Sequence, residues 1–177
     1  MYTNENIKNL YKNNGLNTEY FTLKGKSMYG RLVDVLDGDS IKVVISLFDR
    51  CYKFNVRLNG IDTSEMKSKR DVNKERAMEA REMVCSLVTG KSNTYVGGLT
   101  RKEIQKMLDD NVYILWLECH EFDKYGRLLA DVYIDYVDTE AQTNGRKSIN
   151  EELVKCNLAY RYSGKTKLTE EEQETTL

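Results

Sequence analysis

The sequence predicts an α+β fold in which five β-strands close a small barrel and helices pack against it. Three features lead there. Between Met28 and Ile61, β-branched and aromatic residues gather in three short runs broken by turn residues. Between Val72 and Val88 the apolar residues move to spacings of three and four, and from Val112 to Tyr136 two more strand-like runs follow. Strand-like runs, then a helical period, then strand-like runs again imply three strands, a helix and two strands.

Residues 1–26 are Asn-rich and weakly patterned; Ile7, Leu10 and Tyr11 could line one side of a short helix, and the segment reads as a partly ordered arm. The barrel domain is expected over residues 27–164. Its first strand holds Leu32, Val33 and Val35, its second Ile41, Val43, Val44 and Ile45, its third Tyr52, Phe54, Val56 and Leu58. Asp37-Gly38-Asp39-Ser40 lies between the first two, and Asp-Gly between β-rich runs is a hairpin signal. Ala77, Ala80, Val84 and Leu87 give the following helix one apolar face. Residues 89–110 read as an insertion, a loop and then a short helix opened by Thr100 and Glu103 as a capping box, and a surface excursion is expected. Val112 to Cys119 and Arg127 to Tyr136 form the last two strands. Ser148 and Glu151 then open a helix through Ile149, Leu153 and Val154. Residues 165–177 read as an acidic C-terminal tail, with at most a frayed turn from Thr169. This strand and helix order is that of an OB-fold barrel, a shape used repeatedly to grip nucleic acid, although fold alone assigns no function.

Composition narrows the possibilities. With 40 % hydrophobic and 31 % charged residues the chain suits a soluble globular protein. The longest apolar run, Val112 to Leu117, is far short of the roughly 20 residues that cross a bilayer. The opening MYTNENIKNLYKNNG lacks the apolar core of a signal peptide, so the expected location is intracellular. Cys51, Cys85, Cys119 and Cys156 stand far apart beside a single histidine, His120, which gives no zinc-site spacing. Reduced, mostly buried thiols are expected. Gly-Lys-Ser occurs at Gly25 and Gly90, but neither has the upstream glycine of a phosphate loop. The net charge of −1 argues against a broadly basic nucleic-acid surface, and local patches would have to attract a polyanion.

The densest chemistry is in Arg57 to Glu65, RLNGIDTSE: an arginine within an apolar strand, a glycine, then Asp62, Thr63 and Glu65. Fully extended, eight residues span roughly 26 Å at about 3.3 Å each. Arg57 and Glu65 can therefore serve one small substrate only if the chain doubles back after Gly60. A guanidinium matched to phosphate oxygens and an oxygen-rich cation site form an inventory for hydrolysing a phosphodiester without histidine. Taken alone, each piece has a plain alternative: a strand end at Asp62, a hairpin turn at Asp37 to Ser40, another at Asp123 to Gly126.

LDGDSIKV (Leu36 to Val43), RLNGIDTSE, and DKYGRLLADVY (Asp123 to Tyr133) occur in this order in the staphylococcal nuclease family, which the chain resembles from about Arg31 to Tyr162. The resemblance implies a staphylococcal nuclease-like OB barrel and Ca²⁺ as cofactor, bound by Asp39, Asp62 and the Thr63 carbonyl. It implies Glu65 as general base, Arg57 and Arg127 as phosphate clamps, and Lys124 and Tyr125 beside a phosphate. A family tyrosine matches either Tyr160 or Tyr162. Ser64 replaces the proline usual in the motif, and the 89–110 insertion is absent from short members. The implied activity is hydrolysis of DNA, with RNA open as a second substrate, by a monomer that needs no membrane. Two alternatives stand beside it: a nucleic-acid-binding module without turnover, like the degenerate repeats of Tudor-SN proteins, and a protein-interaction module built on the insertion and acidic tail.

Overall fold

The computed structural model describes residues 4–138 and 143–177. In chain order they form α1 (Asn4–Lys12), β1 (Ser27–Val35), β2 (Ser40–Leu47), β3 (Arg50–Leu58), β4 (Ile61–Asp62), α2 (Asp71–Thr89), α3 (Asn93–Val96), α4 (Arg101–Asp110), β5 (Ile114–Phe122), β6 (Leu128–Asp138), β7 (Thr143–Ser148), α5 (Ile149–Lys155), β8 (Tyr160–Arg161) and α6 (Glu170–Thr176). Neighbouring strands run β3-β2-β1-β5-β6, and β3 pairs in parallel with β6 through Val56–Leu128, Arg57–Leu129 and Leu58–Ala130. That pairing closes a five-stranded OB-like barrel, as the strand order predicts. β6 is long enough to pair also with β7, from Tyr133 onward.

Alternation along the strands sends Leu32, Ile41, Val43, Val56, Leu58, Leu117, Leu128 and Val132 into a core that also receives Ala80 and Val84 of α2 and Leu153 of α5. Each fully buried Leu, Ile or Val contributes roughly 1.5–3 kcal/mol through apolar area removed from water. β2 and β3 meet in a two-residue turn, with Phe48 at φ 52° and Asp49 at φ 60°. α1 buries none of its residues.

The 89–110 insertion is not the surface excursion expected. Val96, Ile104 and Leu108 are completely buried in the same core. The capping box at Thr100 is present, its side chain accepting from the Glu103 backbone N–H while the Glu103 carboxylate accepts from that of Thr100. α4 is fastened to the barrel through Asp34, whose carboxylate accepts from Arg101 and, at 2.9 Å, from Gln105.

The C-terminal residues also fold further than a frayed turn. Thr169 caps α6. Its acids meet the residues around the start of α2: Arg70 pairs with Glu174 at 2.7 Å, Ser68 donates to Glu170 at 2.8 Å, and Asn73 donates to the Glu170 carbonyl at 2.9 Å. Buried thiols were expected; Cys85 and Cys119 are buried, but Cys51 and Cys156 are exposed, and all four are free. No helix among the described residues is long and apolar enough to cross a membrane.

Candidate active site

Three segments and one lysine enclose a cavity of about 200 Å³ at one end of the barrel. The β1–β2 turn gives Asp37, Asp39 and Ser40; β3 and the stretch after β4 give Arg57, Thr63, Ser64 and Glu65; the β5–β6 turn gives Tyr125 and Arg127; the fourth contribution is Lys167.

Local sequence explains each placement. Asp37 accepts from the Asp39 N–H at 3.1 Å, an Asx-type turn that fixes the hairpin tip. Gly38 lets that tip lie against α2, since a Cβ there would fall 2.5 Å from the Ala80 Cβ. Gly60 takes φ +73°, so the chain bends back after β3 and β4 brings Asp62 behind Arg57. In the last turn, Asp123 Oδ1 accepts from the backbone N–H groups of Tyr125 and Arg127 at 2.9 Å each, and its Oδ2 accepts from Arg127 Nε at 2.7 Å. The guanidinium of Arg127 is thereby aimed and held.

Arg57 is the hinge of the arrangement. Its Nη1 lies 2.7 Å from Asp39 Oδ2 and its Nη2 lies 2.5 Å from Asp62 Oδ1. One buried guanidinium thus joins acids from two segments that are far apart in sequence. Burial works against its charge, but Asp39 and Asp62 outweigh that and hold its pKa above the ordinary value. Asp62 is wholly buried; the cost of burying it is outweighed by hydrogen bonds from Tyr160, Lys167 and Arg57, which hold its carboxyl below the ordinary range. Asp39 is pushed up to about 8, first by burial and then by the Asp37 charge, with Arg57 opposing and Asp62 adding. Burial, the larger cause, disfavours the charged form of Asp39, and a cation beside it would favour that form.

Residues 55–177 match the family described as staphylococcal nuclease homologue. The chain belongs to this family. Nothing among curated proteins matches it. The family match begins within β3, yet the barrel closes only through β1 and β2, so the staphylococcal nuclease-like unit of this chain includes the hairpin that carries Asp39.

The structure brings Asp39, Arg57, Thr63, Glu65, Tyr125 and Arg127 to one cavity. Asp62 stands directly behind its wall, with every carboxylate oxygen already accepting: Oδ1 from Arg57 and Lys167, Oδ2 from the Tyr160 hydroxyl. The exposed Lys124 does not line the cavity; its ammonium lies 5.1 Å from the Tyr125 ring centroid. The two tyrosines separate clearly. Tyr160 is buried against Asp62 at 2.5 Å, while Tyr162 lies under Arg57, 5.7 Å from its guanidinium carbon, and lines a neighbouring pocket with Leu129 and Gly60. His120 stays outside, paired with Asp131 at 2.7 Å.

Sequence reading missed Ser40, Ser64 and Lys167 as cavity residues. Lys167 sits in a charged, unpatterned stretch where nothing in the sequence distinguishes it. Among the described residues no three His, Cys, Asp or Glu side chains converge as a preformed metal cage. The donors that face the cavity, Asp37, Asp39 and Glu65 with Thr63 beside them, are nevertheless oxygen donors of the kind hard cations take. Asp62 Oδ1 carries both Arg57 and Lys167, so a cation bound through that oxygen displaces one of them.

Proposed function

We propose that the chain is a Ca²⁺-dependent nuclease that hydrolyses phosphodiester bonds of DNA, with RNA to be tested beside it. The observation that carries this reading is the Arg57 bridge between Asp39 and Asp62, with Glu65 and Arg127 on the same cavity. Asp39, Asp62 and Thr63 are the residues that would hold Ca²⁺. The chemistry this ion supplies when bound is neutralisation of phosphate charge and polarisation of the phosphoryl group.

The side chains supply the rest. Glu65, with its carboxylate at the cavity, accepts a proton from the attacking water. Attack moves negative charge onto the equatorial phosphate oxygens, and fixed guanidinium groups bind those oxygens more strongly as the charge grows. Arg57 and Arg127 fill that role because neither is free to wander: Asp39 and Asp62 fix the first, Asp123 the second. The tight cavity favours a flexible single strand over a duplex.

The paired assay is degradation of denatured DNA by wild type and Glu65→Gln, each with Ca²⁺ and with a chelator. The expected outcome is cleavage by wild type only, ended by the chelator, with the Glu65→Gln circular dichroism spectrum unchanged. Equal trace activity in both proteins would leave the second reading, a binding module without turnover. One observation favours that alternative: Lys167 already pairs with both Asp62 and Glu65.

A further inference from the structure

We propose that Lys167 is a tethered counter-cation: it fills the candidate cation site of the free protein and must leave before a divalent ion can enter. The proposal rests on the reading of that site as a Ca²⁺ site and adds to it what sets the ion's affinity.

The Lys167 ammonium is 2.9 Å from Asp62 Oδ1 and 3.0 Å from Glu65 Oε1. It therefore lies between a carboxylate expected to hold the ion and the carboxylate expected to handle the water. While it stays, Asp62 Oδ1 is fully taken, by Lys167 and Arg57 together, and Oδ2 accepts from the Tyr160 hydroxyl. A lysine suits a reversible plug: its charge is compact and its four-carbon stem is flexible, so the ammonium can swing out while the backbone stays fixed. The backbone here is anchored. The Leu168 N–H donates to the Tyr160 hydroxyl at 3.2 Å, and Gln173 Nε2 donates to the Leu168 carbonyl at 3.0 Å. Gln173 also accepts from Ser64 at 3.2 Å, which ties α6 to the residue next to Glu65. The side chain of Lys167 remains 42 % exposed, so a path to solvent is open once its two partners are taken by another cation.

Like charges in contact oppose each other strongly even near a surface. An ion entering beside Asp62 meets Lys167 first, and its binding free energy is reduced by the work of displacing that ammonium. With the lysine removed, the positions it holds on Asp62 Oδ1 and Glu65 Oε1 are left to the ion.

The test is calorimetric titration of Ca²⁺ into the full chain as wild type, Lys167→Met and Lys167→Arg, with thermal unfolding measured with and without Ca²⁺. Lys167→Met is expected to bind Ca²⁺ about tenfold more tightly than wild type, and to gain more in melting temperature on Ca²⁺ addition. Lys167→Arg keeps the charge and is expected to stay near wild type; Lys167→Gln replaces the Met variant if that one fails to fold. Wild type and Lys167→Met binding with equal affinity would overturn the counter-cation while leaving the calcium site standing. No binding by any variant would overturn the calcium reading and this inference with it.

Discussion

Tyr160 and Tyr162 stand two residues apart and face different partners. The Tyr160 hydroxyl donates to Asp62 at 2.5 Å and accepts from the Leu168 N–H at 3.2 Å, inside the protein. Tyr162 donates to the exposed Lys165 carbonyl at 3.1 Å. Tyr160→Phe should cost about 1–3 kcal/mol by stripping a buried carboxylate of a donor, and Tyr162→Phe less than about 0.5 kcal/mol as a surface change. Urea unfolding followed by circular dichroism checks both; equal costs would mean the Asp62 contact contributes nothing. Arg57 was legible in the sequence as a guanidinium set in an apolar strand just before the Gly60 bend, but its pairing with Asp39 was not, because that contact depends on how β2 lies beside β3. The Phe48-Asp49 turn was not legible, since both residues take a positive φ that Gly or Asn usually signals.

At the scale of elements, α4 is fastened to the barrel by its apolar face and by Asp34. A bulge in β1 between Leu32 and Asp34 interrupts the alternation along the strand. Asp34 is buried, which alone would raise its pKa; hydrogen bonds from Arg101 and Gln105 and the charges of Arg101 and Lys42 outweigh this and lower it from 3.8. A carboxylate with a depressed folded pKa adds stability that is complete above its unfolded value and disappears as pH falls through the folded one. Asp34→Asn should therefore cost about 1–3 kcal/mol at pH 7, and the gap to wild type should narrow at pH 3. An unchanged gap at the two pH values would show that the charge is not what fastens α4. The sequence revealed the cap of this helix but not its burial, because Ile104, Met107 and Leu108 are too short a stripe to tell a docked helix from an excursion. The acidic run at the C-terminus concealed α6 for a related reason. Its holdfast is polar, through Arg70, Ser68 and Asn73, and has no hydrophobic period to read.

Across the whole molecule the charges nearly cancel, at −1 net. Attraction for a polyanion then has to come from local cations, chiefly Arg57 and Arg127 at the cavity and Lys124 beside Tyr125. Three phosphate contacts on a single strand give a log–log salt slope of about −2. Fluorescence anisotropy of a labelled oligonucleotide bound to Glu65→Gln should return that value; a slope steeper than about −5 would mean that a wider surface takes part. The barrel itself was legible from strand order. What strand order could not supply was which charged side chain near the C-terminus enters the cavity, since that depends on where α6 settles.

The parallel β3–β6 seam has a consequence for the order of events during synthesis. Val56–Leu58 and Leu128–Ala130 are about seventy residues apart, and the arginines expected to grip substrate lie at or beside this seam, Arg57 within it and Arg127 one residue before it. A ribosome that has delivered only the first hairpins has released a chain whose two halves of the pocket have not yet met. Contacts this distant form late, after the intervening loop has closed. An unfinished chain thus lacks the assembled cavity, which exists only once β6 has closed the barrel against β3.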